Sequence, residues 1–214
     1  MLILPDNEEA YERAAQVVAS GGILAFRTDT FYGLGADPFN RSALKHLFQL
    51  KGRDEGKPIL VIISDALVVE RFFAARTALF ETVSERHWPG ALTLVGEARS
   101  DVPEELTAGT RSIGLRLPDD ERVRALVRAC GGALTATSAN LSGKPPARTA
   151  ADVARSFPEG LALILDAGAT LIDRPSTVLD VRRATARLIR EGVVTARELR
   201  RTLISLELSL ESEV

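Results

Sequence analysis

The chain of 214 residues, 45% apolar and 26% charged, is long enough to bury a core without a metal or disulfide staple, and its composition excludes a disordered or membrane-embedded chain. Its 27 basic and 29 acidic side chains give a net charge of −2, which argues against a surface coated uniformly for nucleic acid. A single cysteine, Cys130, excludes an internal disulfide, and with only His46 and His87 beside it a Cys/His zinc cluster is excluded too.

The opening residues, MLILPDNEEA, turn acidic at once and carry no leader pattern, and no apolar run reaches the roughly 20 residues of a membrane span, so a cytoplasmic protein is expected. Asp6-Asn7-Glu8-Glu9 reads as a capping box, and Ala10, Ala14, Val17 and Val18 continue it as a helical stripe to Ser20, ended by Gly21-Gly22. A buried strand is predicted over 22–27, a helix over 40–50 with Leu44, Leu47 and Phe48 inward, and a second buried strand over 59–63. Further strands are predicted over 91–95, 113–117, 133–137, 161–165, 177–181 and 186–189, with helices over 66–73, 77–87, 120–129 and 149–156. Thr195 with Glu198 marks a last capped helix, and 204–214 reads as an acidic amphipathic tail. No repeat or linker divides the chain. The expectation is one α/β domain over 1–203, built around a twisted mixed sheet with flanking helices, followed by the tail.

Four polar, glycine-bearing segments leave the ends of predicted strands or helices, where ligand chemistry is the first hypothesis. The segment from Arg27 to Gly35 packs two hydroxyls, a carboxylate and a phenol into five residues; a turn held by its own Thr and Asp side chains explains it equally well. Lys51, Arg53 and Lys57 form a phosphate-sized cluster of three cations in seven positions. Lysine is scarce here, four against 23 arginines, which draws attention to Lys51, Lys57 and Lys144. The dipole of the preceding helix accounts for Lys51 alone. The hydroxyl-rich stretch from Thr135 to Pro146 carries Ser138, Asn140 and Ser142 at alternate positions, and a solvent-facing turn competes with a cleft wall for it. The fourth combines Arg174 to Asp180 with Leu188 to Gly192. Arg116, inside an apolar strand, belongs with it because a buried charge needs a counter-ion or ligand; a salt bridge to an ordinary carboxylate is the plainer option.

Commoner sites are absent. Gly143-Lys144 and Gly56-Lys57 are each followed by Pro, not the Ser or Thr of a Walker A loop, no GxGxxG follows a strand, and there is no GxSxG elbow. Both histidines fall on predicted helices as packing or capping residues. An enzyme of this kind works by electrostatics and positioning.

Taken together the segments resemble one family, the YrdC-domain threonylcarbamoyl-adenylate synthases, from about Glu8 to Val193. RTDTFYGLG is similar to the family's PTETVYGLG, KGRDEGKPI to its K-x-R segment, HWPGALT to WPGPLT, SIGLRLP to VGVRVP, TSANLSG to PSANLSG, and RPSTVLD to ESTVVD. The resemblance implies a YrdC-like fold with a large open cleft and a nucleotidyltransferase that converts L-threonine, bicarbonate and ATP to threonylcarbamoyl-AMP and pyrophosphate. It implies catalytic roles for Lys51 and Arg53, and ATP contacts from Arg53, Lys57, Ser112, Ser138, Asn140, Ser142, Pro146 and Arg190. Thr30, Arg116, Ala136 and Ser176 would border threonine, and Mg²⁺ would ride on the ATP phosphates. The partner implied is a tRNA-modifying transferase complex. Departures from the family pattern are Arg27 for Pro, Asp29 for Glu, Lys57 for Asn, Ile62 for His and Glu191 for Pro. The short, single-domain form is expected. Two alternatives remain at this stage: carbamoyl-transfer chemistry of the hydrogenase-maturation kind, and a non-catalytic tRNA- or duplex-RNA-binding module, motivated by seven Arg against two Glu over 182–201.

Overall fold

The structure, a computed structural model, describes residues 1–52, 58–170, 172–204 and 210–212. In chain order the elements are β1 (Leu2–Pro5), α1 (Glu8–Ala19), β2 (Leu24–Arg27), β3 (Tyr32–Gly35), α2 (Arg41–Lys51), β4 (Val61–Ile63), a 3-10 helix (Ala66–Arg71), α3 (Ala78–His87), β5 (Leu92–Glu97), α4 (Glu104–Thr107) and β6 (Ser112–Arg116). They continue with α5 (Glu121–Ala129), β7 (Ala133–Thr135), β8 (Thr137–Ser138), α6 (Ala150–Ser156), β9 (Leu163–Asp166), β10 (Thr177–Asp180), β11 (Ala186–Arg190), α7 (Ala196–Ile204) and β12 (Leu210–Ser212).

Helix starts follow their side-chain caps. Asn7 accepts from the Ala10 amide and Asn40 from the Ala43 amide, each at 3.0 Å, while Thr149 and Asp152 close a reciprocal capping box at the head of α6. At the other end of α2, Gly52 takes a left-handed conformation with φ 55°, which stops the helix one residue after Lys51.

The expected single mixed sheet is in fact two. A five-stranded sheet has the order β1-β9-β2-β3-β8, and a seven-stranded sheet the order β12-β11-β10-β5-β6-β4-β7. The strand predicted over 133–137 is what joins them. It breaks at Ala136, so that β7 ends one sheet and β8 ends the other. The break is fixed by hydrogen bonds to both sides: the Ala136 amide donates to the Leu60 carbonyl at 2.9 Å, and the Ala139 amide to the Tyr32 carbonyl at 2.8 Å. Thr135 adds a side-chain tie, its hydroxyl accepting from the Ala36 amide at 2.9 Å.

Two apolar clusters hold these layers. The larger gathers Leu47, Phe72, Phe80, Leu115 and Phe157; the smaller packs Tyr11 and Val17 of α1 and Leu126 and Val127 of α5 against Phe26, Ile62 and Leu163. Each helix offers the sheet one stripe at helical spacing, as its sequence dictates.

Other differences from expectation have local causes. Where an α-helix was expected over 66–73, Ala66–Arg71 form a 3-10 helix capped by Asp65. Residues 32–35, expected as loop, form β3 because Arg27 to Tyr32 closes a hairpin against β2. β1, α4 and β12 were not expected. β12 takes part of the predicted tail into the sheet, Leu210 pairing with Ala186 in parallel register, and the tail's remaining residues beyond Ile204 lie outside the described ones.

Candidate active site

A cleft of about 520 Å³ opens where the two sheets meet. The five-stranded sheet lines it through Tyr32, Gly33, Thr137 and Ser138, and the seven-stranded sheet through Thr93, Val95, Ser112, Gly114, Arg116, Val178 and Arg190.

Its most buried polar part is the turn of the β2–β3 hairpin. Thr28 tightens this turn: its hydroxyl donates to the Phe31 carbonyl at 2.8 Å and accepts from the Thr30 amide at 3.1 Å. The same hydroxyl lies 3.1 Å from that of Thr30. Both sequence readings of the segment hold, since Thr28 and Thr30 build the turn and line the cleft.

Arg116, at the end of β6, comes to this turn from the other sheet. Its Nη2 is 3.1 Å from Asp29 Oδ1 and its Nη1 donates to Thr30 Oγ1 at 3.4 Å, with the Arg116 side chain only 3% exposed. Arg116 Nε is buried with no hydrogen-bond partner. Burial holds the Arg116 guanidinium below its ordinary pKa, against the raising effect of Asp29. Burial likewise raises the Asp29 carboxyl, against the lowering effect of Arg116.

Arg190 ends β11 at the cleft mouth. It donates to the Ser176 carbonyl at 2.9 Å through Nη2 and 3.3 Å through Nε, and the Ser176 hydroxyl lies 3.0 Å from that of Thr93. Its pKa is also lowered, by desolvation first and then by the charge of Arg116. The third cation, Lys51, is buried at the end of α2 and donates from Nζ to the Ser138 carbonyl. No described residue lining the cleft is Asp, Glu or His. Two guanidiniums and an ammonium thus face a space walled by hydroxyls, an environment that favours anions.

Ten of the residues expected at the site line this cleft: Lys51, Ser112, Ser138, Asn140, Ser142, Arg190, Thr30, Arg116, Ala136 and Ser176. Arg53 and Lys57 lie outside the described residues. Pro146 is half-buried and not part of the lining, and Lys144 is exposed in the turn whose carbonyl receives Asn140 Nδ2, also away from the cleft. Ile62 is fully buried in the smaller apolar cluster. Glu191 turns outward and accepts from the Ala196 amide at 3.2 Å, leaving Arg190 in the cleft. The main omission from the sequence reading is Thr93. Its signal was a lone hydroxyl in the apolar run ALTLV.

The seven arginines of the arginine-rich segment fall in several settings, with Arg183 exposed just before β11 and Arg187 exposed on it. Arg182 is gripped by Asp180 through contacts of 2.7 to 3.1 Å, Arg190 enters the cleft, and Arg197, Arg200 and Arg201 lie on exposed positions of α7. Neither histidine lines the cleft; His87 bonds Thr202 at 2.9 Å across α3 and α7. Among the described residues no three His, Cys, Asp or Glu side chains gather as a metal site.

The chain is similar to proteins of one kind. The Sua5/YciO/YrdC family model, described as telomere recombination, matches residues 16–192. The chain is 36% identical to the threonylcarbamoyl-AMP synthase of Bacillus subtilis (strain 168), over 92% of this chain and 57% of that protein. With the threonylcarbamoyl-AMP synthase of Thiobacillus denitrificans it shares 39% identity over 79% of this chain and 89% of that one. Among solved structures, Pyrococcus abyssi Sua5 complexed with L-threonine superposes with a TM-score of 0.90 at 31% identity, covering 98% of this chain and 61% of that one. Escherichia coli YciO, at 24% identity and a TM-score of 0.79 over 90% of this chain and 95% of that one, shares the fold. The chain therefore spans somewhat more than half the length of the Bacillus and Pyrococcus relatives and most of the Thiobacillus one. With the family model matching most of its length and relatives above 30% identity on every side, the chain belongs to the Sua5/YciO/YrdC family.

Proposed function

We propose that the protein is a threonylcarbamoyl-AMP synthase, a nucleotidyltransferase that carries out the activation step of tRNA threonylcarbamoyladenosine formation. The amino nitrogen of L-threonine and the carbon of bicarbonate form N-carboxythreonine with loss of water. A carboxylate oxygen of this species attacks the α-phosphorus of ATP, the bond to the β-phosphate oxygen breaks, and pyrophosphate leaves.

The observation that carries this reading is the gathering of Lys51, Arg116 and Arg190 in a hydroxyl-lined cleft whose described lining holds no acid. Every reactant brings negative charge to that cleft, and the transition state spreads more of it over the phosphoryl oxygens, where fixed cations act best. In this reading Arg116 receives the threonine carboxylate, with Thr30, Ala136 and Ser176 around the amino acid. Lys51, Arg53, Lys57 and Arg190 hold the phosphates, Lys51 and Arg53 at the reacting centre. Ser112, Ser138, Asn140, Ser142 and Pro146 border the nucleotide. Mg²⁺ arrives on the ATP phosphates. No side chain has to act as a covalent nucleophile.

The names of the Bacillus and Thiobacillus relatives and the L-threonine bound to Pyrococcus Sua5 support the same assignment. Residues 1–203 form the catalytic unit in this reading, and the labile adenylate passes to a tRNA-modifying transferase complex in the cytoplasm; among the described residues no helix is long and apolar enough to cross a membrane. The test is pyrophosphate release from the purified chain. Release that requires ATP, L-threonine and bicarbonate together is expected, and release indifferent to threonine overturns the assignment.

A further inference from the structure

Asp29 has no part in the proposed chemistry, yet it occupies an unusual position. Its neighbours Thr28 and Thr30 line the cleft and Asp29 does not. Its carboxylate sits behind the wall, 11% exposed, against the Nη2 of Arg116 at 3.1 Å. The pairing is made at one point. Arg116 Nη1 goes to Thr30, while Arg116 Nε and Asp29 Oδ1 are both buried without a hydrogen bond, so the pair is held by charge.

Two consequences follow from this arrangement. An arginine side chain has several rotatable bonds, and holding one in a single geometry costs up to about 2 kcal/mol of rotamer entropy unless its neighbours fix it. Arg116 is also close enough to Arg190 to disfavour its charge, so the two guanidiniums repel one another. Asp29 opposes both effects from outside the cleft lining.

We propose that Asp29 is the positioning residue for Arg116, holding the guanidinium in the cleft wall by a one-point ion pair where it can meet the carboxylate of the amino-acid substrate. The proposal rests on the threonine reading above. It deepens that reading by assigning amino-acid affinity, and not nucleotide affinity, to a residue behind the wall.

Titration calorimetry of the full chain with L-threonine alone, and separately with a non-hydrolysable ATP analogue, tests it. Asp29→Asn is expected to weaken threonine binding by roughly tenfold to a hundredfold, as loss of a buried counter-charge does, and to leave the nucleotide analogue within about threefold. Asp29→Glu, which keeps the charge, is expected to recover threonine affinity to within about threefold of the unaltered chain. Threonine binding unchanged in Asp29→Asn, or both ligands weakened alike, overturns the proposal. A second measurement needs no variant: in the unaltered chain the Arg116 guanidinium N–H resonances are expected to move when L-threonine is added, and stationary resonances in a chain that binds threonine overturn the proposal. If the unaltered chain binds the nucleotide analogue but no threonine, the functional reading itself falls, and the proposal with it.

Discussion

Replacing Arg116 by methionine separates the energetics of the buried pair from its role in binding. Methionine keeps much of the length of the side chain and removes the charge, leaving Asp29 buried without its counter-ion. With the two side chains 3% and 11% exposed, solvent screens little of the loss. Breaking such a pair from one side costs about 3–5 kcal/mol. Relief of the repulsion between Arg116 and Arg190 offsets part of this, so a net loss of about 2–4 kcal/mol is expected near neutral pH. The pH dependence has a definite sign. Burial already raises the Asp29 carboxyl above its ordinary 3.8, and Arg116 is the largest influence pulling it back. Without Arg116 the folded-state value rises further. A group raised on folding favours the folded state below its unfolded value and loses that contribution as pH climbs through the folded value. Arg116→Met should therefore lie closest to the unaltered chain near about pH 4 and fall furthest behind toward about pH 7.5. Adding Asp29→Asn, which removes the orphaned charge, should recover about 2 kcal/mol at about pH 7.5 and flatten the profile. Urea unfolding of the four chains at about pH 4.5 and about pH 7.5 measures the cycle. A loss for Arg116→Met below about 1 kcal/mol, or one equal at both pH values, refutes the reasoning.

Other outcomes follow from the same coordinates. Lys51→Ala should lower pyrophosphate release by about a hundredfold or more, as removal of a fixed charge from a phosphoryl-transfer site does. Arg71→Ala should stay within about threefold, because Arg71 donates to the Gly131 carbonyl and stacks over Phe39 outside the cleft. Gly192→Ala would place a methyl carbon 2.1 Å from the Pro175 carbonyl oxygen, forcing apart the strand ends that carry Ser176 and Arg190. A melting temperature lower by roughly 3–10 °C is expected, together with loss of pyrophosphate release, and a variant with unchanged melting would show that this wall can yield.

Much of the site was legible because its chemistry is written in short local runs. Thr30, Ser138, Asn140 and Ser142 stand in polar segments between apolar strands, and their hydroxyls and amide reach the cleft. Arg116 was conspicuous for the opposite reason, a charge inside an apolar strand. The plainer explanation, a salt bridge to a carboxylate, is met by Asp29, and the residue also lines the cleft. Thr93 escaped notice because a threonine in a strand is ordinary. Its importance comes from Ser176, 83 residues away, which no local pattern couples to it. Lys144 misled because scarcity of lysine is a property of composition and says nothing of direction; the turn around Asn140 points it to solvent.

The sequence alone determined the helix stripes, the caps at Asn40 and Thr149, most of the strands and the inventory of cations and hydroxyls, since each depends on side-chain periodicity or on partners within a few residues. Only the tertiary structure decided that one predicted strand divides between two sheets at Ala136, that β3 completes a hairpin, and that Ile62 faces the smaller apolar cluster. The same holds for the site itself, where a turn in the first 31 residues meets Arg116 across 86 residues of chain. Local propensity sets which groups are present and what elements carry them. Which of them share one space is set by long-range strand pairing, and that pairing brought three cations scattered in sequence into one cleft.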